Sequence, residues 1–539
     1  MNGASTPSSA LIDQFFSNLA SYYNDSWFPP TALDIASAKN TAGIIEADRK
    51  KGNLRLIMNW YSGVDEAQHY NNHLLPVVLR DIDQAVGLVL QAAQNHPVLK
   101  NATVLLISDH GHTGGFDAFC EHSPLFKRVA DQKTTLSGPL VANTSFNLTH
   151  FLGGHFRGFE HLQFNVATPS PVETRPDLSW MGEFFMPALH INYKRFTHTQ
   201  EPTALIDYSG SSLAQIYLKG QAHWKRRLSY YELTNFFIPE SGMRTHLFND
   251  LFKARMGNLM ITDDDLLSRL TDLTKRHPVH FIAMPLEQNE NITSLDKWGA
   301  SDETGSSTRD PVLVLSKDHT QAGIKAGIIF TKSDYEGRDW FRYVVVKNFN
   351  QEASGRYAGV PSVDPNDDPL QYIGQVPTAE LSSQWKTDHE WLRLARDHQY
   401  PTAIFSLART LTLAPKFTNL SVTRGLSERV KTARKAEIPD FILIANPGFG
   451  FHDGAPMQSD HGGLSYEEVR NSFFISSMNK ALFQKHEEIR EPVLTRDYAA
   501  TLLEYAGLDN GVSINSIPQT QGDSFKAMID AINPAEPMK

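Results

Sequence analysis

Three short stretches of this chain gather side chains that bind divalent cations. Gly63-Val64-Asp65-Glu66-Ala67-Gln68-His69 places an Asp and a His four residues apart, which puts both on one face of a helical turn. Ser108-Asp109-His110-Gly111 places them side by side, and Ser459-Asp460-His461-Gly462-Gly463 repeats that pair late in the chain. Carboxylate oxygen and imidazole nitrogen together suit zinc and similar borderline ions. Taken singly, each stretch also fits a polar loop or the acidic first turn of a helix. Their recurrence, each behind an apolar run and beside glycine, points to one shared metal site at the ends of strands.

The elements that must position these side chains follow from the periodicity. Val104 to Ile107 is an apolar β-branched run that breaks at Ser108, which predicts a buried parallel strand delivering side chains to a crevice. Asn53 to Gly63 reads as another strand, and Leu75 to Asn95 as a helix with Leu, Val and Ile at helical spacing. Strand, motif, helix, strand, motif is a βαβ unit with a right-handed crossover. Upstream, Leu11–Tyr23 and Leu33–Ile45 read as helices. Ala204–Leu218 alternates around a turn, and Val279–Met284, Val312–Leu315, Gly327–Phe330 and Tyr343–Val346 are strand candidates. Residues 385–435 read as mostly helical. The strand-helix alternation returns with Asp440–Asn446, Tyr466–Arg470, Phe473–Ile475 and the helix Thr495–Gly507.

The whole chain has 539 residues, enough for a large core and a sizeable insertion or second domain. Its net charge of −10 argues against a general nucleic-acid or anionic-membrane surface. The single cysteine, Cys120, excludes an intrachain disulfide and a cysteine-rich zinc site. No apolar run approaches the roughly 20 residues of a membrane span, and the first residues lack the basic and apolar regions of a signal peptide.

Together these motifs resemble the alkaline phosphatase superfamily, most closely its type I phosphodiesterase and nucleotide pyrophosphatase branch. The likeness rests on Gly63-Val64-Asp65 with His69, on Ser108-Asp109-His110-Gly111 and on His461-Gly462, supported by Arg470–Ser477 and Asp497–Gly507. It implies an α/β/α sandwich with a central, largely parallel sheet and a large insertion. Residues 1–125 would be the first part of the metallohydrolase domain and 435–539 its C-terminal part. Residues 126–434 would carry the remaining core strands plus the insertion or cap. The resemblance implies a two-zinc site in which Asp65, His69 and His461 bind one ion and Asp109 and His110 the second. Asp460 and His112 match no ligand of the family and are expected to support the ligands from behind.

The implied activity is metal-dependent hydrolysis of small phosphoric esters, mono- or diester. In the family a Ser or Thr attacks phosphorus, after a strand that bears a further metal-binding Asp. No such strand-Asp-glycine pattern is read ahead of Asp65, so the nucleophile is unassigned, the second zinc site lacks ligands and hydrolysis is expected to be weak. Two other readings remain. One is a non-catalytic or N-terminally truncated member that keeps the fold and part of the metal site. The other is a sulfatase-type hydrolase, which Cys120 supports poorly because that branch needs an early nucleophile.

Overall fold

The computed structural model describes residues 29–70, 75–114, 144–145, 166–167, 204–208, 212–218, 227–238, 242–254, 278–286, 298, 311–317, 323–335, 338–376, 385–395, 403–412, 439–446, 449–451, 459–464, 466–478, 493–505 and 524–527. The chain divides into two compact units, Met1–Ala142 with Asn471–Lys539, and Asn143–Arg470. The expected helix at Leu11–Tyr23 lies outside the described residues.

Among the described residues, the early part of the first unit carries the helices Pro29–Asp48, Gly63–Tyr70 and Leu75–Gln94. Proline at the start of the first costs nothing there, because the first amides of a helix have no partner within it. The third helix buries Leu75, Val78, Ala85, Ala92 and Ala93, and Ile82 and Val89 pack beside them. That three-and-four spacing is one continuous face. Its first half receives Val64 and Ala67 of the Gly63–Tyr70 helix, and its second half receives Ala42 and Ile45 of the first helix.

The far ends of the first and third helices are tied by a polar clamp around one buried histidine. Gly52, at φ 62°, turns the chain out of the first helix. Asp48 Oδ2 then accepts the amides of Asn53 and Leu54, at 2.6 and 2.8 Å. His96, fully buried, lies with Nε2 3.3 Å from the same oxygen. Its Nδ1 accepts from the amides of Val98 and Leu99, so the proton must sit on Nε2, which donates to Asp48.

Two expectations about this unit need correction. Residues Asn53–Ser62 belong to no sheet. Only from Leu56 to Trp60 does burial alternate as in a strand. Leu54 and Ile57 pack inward, whereas Leu56, Met58 and Trp60 are 57, 80 and 73% exposed. No described strand lies beside this segment to take its backbone groups, so the βαβ unit does not form. Thr103–Ile107 is a strand as predicted, but it pairs antiparallel with Phe473–Ser477 and is only partly buried. Phe473 and Ile475 are covered by Tyr498, from the helix Asp497–Tyr505, and by Phe525. Leu106 and its cross-strand partner Phe474 stay exposed.

Among the described residues of the second unit, ten strands form one sheet. Its order is Tyr357–Pro361, Arg338–Gln351, Ile324–Tyr335, Val312–Lys317, Val279–Pro285, Phe441–Ala445, Leu213–Leu218, Ala204–Tyr208 and Val166–Ala167, with Lys386–Thr387 paired to Arg338–Gln351. Only the last two in that order, Ala204–Tyr208 and Val166–Ala167, run parallel; the other pairings are antiparallel. The fold is therefore mixed α/β as expected, but the large sheet is mostly antiparallel where a largely parallel one was predicted. Between Val312 and Pro361 short connections explain this. Only residues 336 and 337 separate two of the longest strands, too few for the crossover that a parallel pair requires. Helices Asp388–Ala395 and Ile404–Thr412 cover this sheet, stacking Trp391 on Phe405 at 4.5 Å.

Replacing His96 with Ala should lower the stability of the protein by about 2–4 kcal/mol, because it opens a cavity and leaves the part-buried Val98 amide, the buried Leu99 amide and Asp48 each short of a partner. Chemical denaturation of the variant checks this. A loss below about 0.5 kcal/mol, the range of ordinary surface substitutions, would show that the clamp does not hold the helices.

Candidate metal centre

The helix Gly63–Tyr70 carries Asp65 and His69 one turn apart, with His69 Nε2 3.5 Å from Asp65 Oδ1. A second set of candidate donors arrives from the loop that follows Thr103–Ile107. That loop is anchored where it leaves the strand. The Ser108 amide donates to Ser472 O, and Asn471 Nδ2 donates to Ser108 O at 2.7 Å. Ser108 Oγ donates to His110 O. Beyond this anchor the chain bends at Asp109, and His110 and His112 follow two residues apart.

Both rings converge on Asp65. His112 Nε2 lies 2.9 Å and His110 Nε2 3.9 Å from the same Oδ1. The rings of His69 and His112 meet edge to face at 4.9 Å, and those of His110 and His112 lie 5.3 Å apart. The His112 side chain is 4% exposed and that of His69 10%, so the cluster is shielded on that side. The potential ligand atoms of Asp65, His69 and His112 all lie within 4.8 Å of one another.

The electrostatics match a cation site. Burial alone would raise the Asp65 carboxyl, but hydrogen bonds from His112 and His69 and their charge hold it well below the usual carboxylate range. Burial lowers the His112 imidazole below its ordinary value, against the pull of Asp65. Near neutral pH, then, Asp65 is ionised and His112 is uncharged, the two states in which these groups bind metal. The separations of 2.9 and 3.5 Å also bracket the roughly 3.3 Å expected between two ligand atoms around tetrahedral zinc. The donor set fits a borderline divalent ion.

The remaining predicted residues are placed as follows. Asp109 is two-thirds exposed and turned to its own neighbour, with Oδ1 accepting from the His110 amide and Oδ2 3.6 Å from His110 Nε2. His461 belongs to the second unit, and its backbone there is held from both sides. Its carbonyl accepts from the Ser212 amide. Two residues on, the Gly463 amide donates to the buried Glu468, whose carboxylate leaves no room for a Cβ at Gly463. The contribution of His112 goes beyond what its sequence context suggested. Its spacing of two from His110, on a segment continuing a strand, was the available signal.

The fold is mixed α/β and carries an Asp-His cluster that could hold a metal ion. Residues 10–151 match the model of a particular family, type I phosphodiesterase / nucleotide pyrophosphatase, which belongs to the alkaline phosphatase superfamily and implies an alkaline-phosphatase-like fold. The matched stretch contains Asp65, His69, Asp109 and His110. That family acts on small phosphate esters and is generally metal-dependent. No curated protein and no solved structure matches the chain. Among the described residues, no helix is long and apolar enough to cross a membrane.

Protons and metal compete for the same imidazole nitrogens, while Asp65 stays ionised across the range. Zinc occupancy should therefore be full near neutral pH and fall as pH drops through about 6. Equilibrium dialysis with metal analysis at stepped pH checks this. Occupancy that is flat down to about pH 4.5 would mean that histidine is not a ligand.

Proposed function

We propose that this protein is a metal-dependent hydrolase of phosphoric esters, mono- or diester, working through a two-zinc site. The observation that carries the reading is the convergence of Asp65 and His69 inside the stretch that matches a phosphodiesterase family. In this reading Asp65, His69 and His461 hold one ion, and Asp109 and His110 hold the second. The place of His461 rests on the sequence resemblance. When bound, such ions supply positive charge against the phosphoryl oxygens and the leaving oxygen.

The chain's own residues do the rest. Asp65 stays ionised and is the anionic anchor of the first ion. His112, buried and uncharged with Nε2 2.9 Å from Asp65 Oδ1, is a further candidate donor to that ion. His110 lies nearer the exposed side than His112, with its side chain 25% exposed, where a substrate oxygen can reach it. The same reading takes 1–125 and 435–539 as two parts of one metallohydrolase domain, with 126–434 as remaining core strands plus an insertion or cap. The ladder between Thr103–Ile107 and Phe473–Ser477 supports it for the residues from Asn471 onward, whereas Phe441–Ala445 belongs to the sheet of the second unit.

The test is hydrolysis of p-nitrophenyl phosphate and bis-p-nitrophenyl phosphate by the full chain, with zinc and with chelator. Turnover is expected to be slow, dependent on metal and reduced at least about 100-fold by Asp65→Ala, a loss typical of a group essential to a metal site. Turnover indifferent to both chelator and Asp65→Ala would contradict the reading. Metal bound through Asp65 with no hydrolysis of either ester would favour a non-catalytic role for the fold.

A further inference from the structure

The helix that carries Asp65 and His69 is gripped by a polar stripe on a different helix. Asp34, Ser37 and Thr41 follow at intervals of three and four on Pro29–Asp48, and so share one face. Asp34 is 3% exposed. Its Oδ1 accepts the Ser62 amide and its Oδ2 the Gly63 amide, each at 2.9 Å. Further along, the Ser37 and Thr41 hydroxyls both donate to Asn59 Oδ1, at 3.0 and 3.1 Å. The stripe thus holds the chain from Asn59 to Gly63, and Gly63 is the first residue of the metal-ligand helix.

We propose that Asp34 is a positioning residue for the metal centre, fixing the start of the Gly63–Tyr70 helix at two points so that Asp65 and His69 face the ion together. The inference rests on Asp65 and His69 being metal ligands. A single capping bond lets a helix pivot about it; two bonds from one carboxylate to consecutive amides fix its direction and its rotation. Rotation matters here, because ligands one turn apart diverge from a common ion if the helix turns about its axis. Metal sites tolerate errors of only about 0.5 Å.

An ordinary helix start is capped by its own Ser, Thr, Asp or Asn at the surface. Here the acceptor comes from 28 and 29 residues away and is buried. Burial pushes the Asp34 carboxyl up to about 6, although both amides favour its charge. A raised carboxyl favours the folded state most at low pH, and that advantage is lost as pH rises through about 6. Ionised Asp34 therefore costs stability near neutral pH, which a residue kept only to stabilise the fold has no reason to do.

The test uses the full chain with Asp34→Asn and Asp34→Ala, and Asp65→Ala as a control. Zinc affinity is measured by chelator competition, and cobalt is substituted to read ligand geometry from its visible absorption. Asn can accept only one of the two amides and presents an NH2 group to the other. Asp34→Asn should therefore weaken zinc affinity by about 10-fold and alter the cobalt bands, and Asp34→Ala should weaken it by up to about 100-fold. If Asp34→Ala does not fold, the near-isosteric Asn variant decides alone. A lowered melting temperature with unchanged zinc affinity and cobalt spectrum would make Asp34 a structural cap and overturn the proposal. If Asp65→Ala also leaves affinity unchanged, the metal reading fails instead of the positioning role.

Discussion

Three imidazoles crowd one oxygen of a single carboxylate. His69, His110 and His112 approach Asp65 Oδ1 to 3.5, 3.9 and 2.9 Å, and the first unit is arranged around that convergence. Asp65 and His69 need a helix in one rotational setting. His110 and His112 need a strand that ends in a fixed place and a loop pinned by Ser472 and Asn471. Among neutral imidazoles and a carboxylate, only nitrogens that carry a proton gain from such proximity. A divalent cation lets all the ring nitrogens and the oxygen act as donors at once. The geometry is thus costly as a hydrogen-bond cluster and favourable as a ligand set.

Holding that geometry explains an otherwise odd first helix. A helix packed in a core usually buries an apolar stripe. This one gives Ile45 and Ala42 to the hydrophobic cluster, but turns Asp34, Ser37 and Thr41 to the segment before the ligand helix. Apolar contact is non-directional, whereas hydrogen bonds fix position and angle. The segment so gripped also shows where the unit departs from an ideal sheet. Leu56, Met58 and Trp60 alternate outward into solvent, and Leu106 and Phe474 stay exposed on the ladder between Thr103–Ile107 and Phe473–Ser477.

Much of this was legible in the sequence. The spacing of four between Asp65 and His69 already implied a shared helical face, and the helices Leu33–Ile45 and Leu75–Asn95 were visible from periodicity. So were the strands around Val104, Val279, Val312 and Phe441. The Asn53–Gly63 segment misled because alternation records only which side chains face inward; it carries no information on whether a partner strand is present. The parallel sheet misled for a related reason. Apolar runs such as Phe441–Ala445 mark a strand buried on both faces, which an antiparallel sheet covered by helices satisfies as well. Asp34 was illegible, because its role depends on two amides nearly thirty residues away. His112 was half legible. Its spacing from His110 was visible, but its 2.9 Å approach to Asp65 depends on the tertiary fold.

The central claim is that Asp65 and His69 bind one metal ion together. The most direct measurement is anomalous diffraction at the zinc edge from crystals of the full chain grown with zinc. A single strong peak about 2.0–2.2 Å from Asp65 Oδ1 and His69 Nε2 is the result predicted. Zinc bound only elsewhere, or Asp65 still hydrogen-bonded to His112 with no ion at its oxygen in saturating zinc, would contradict it.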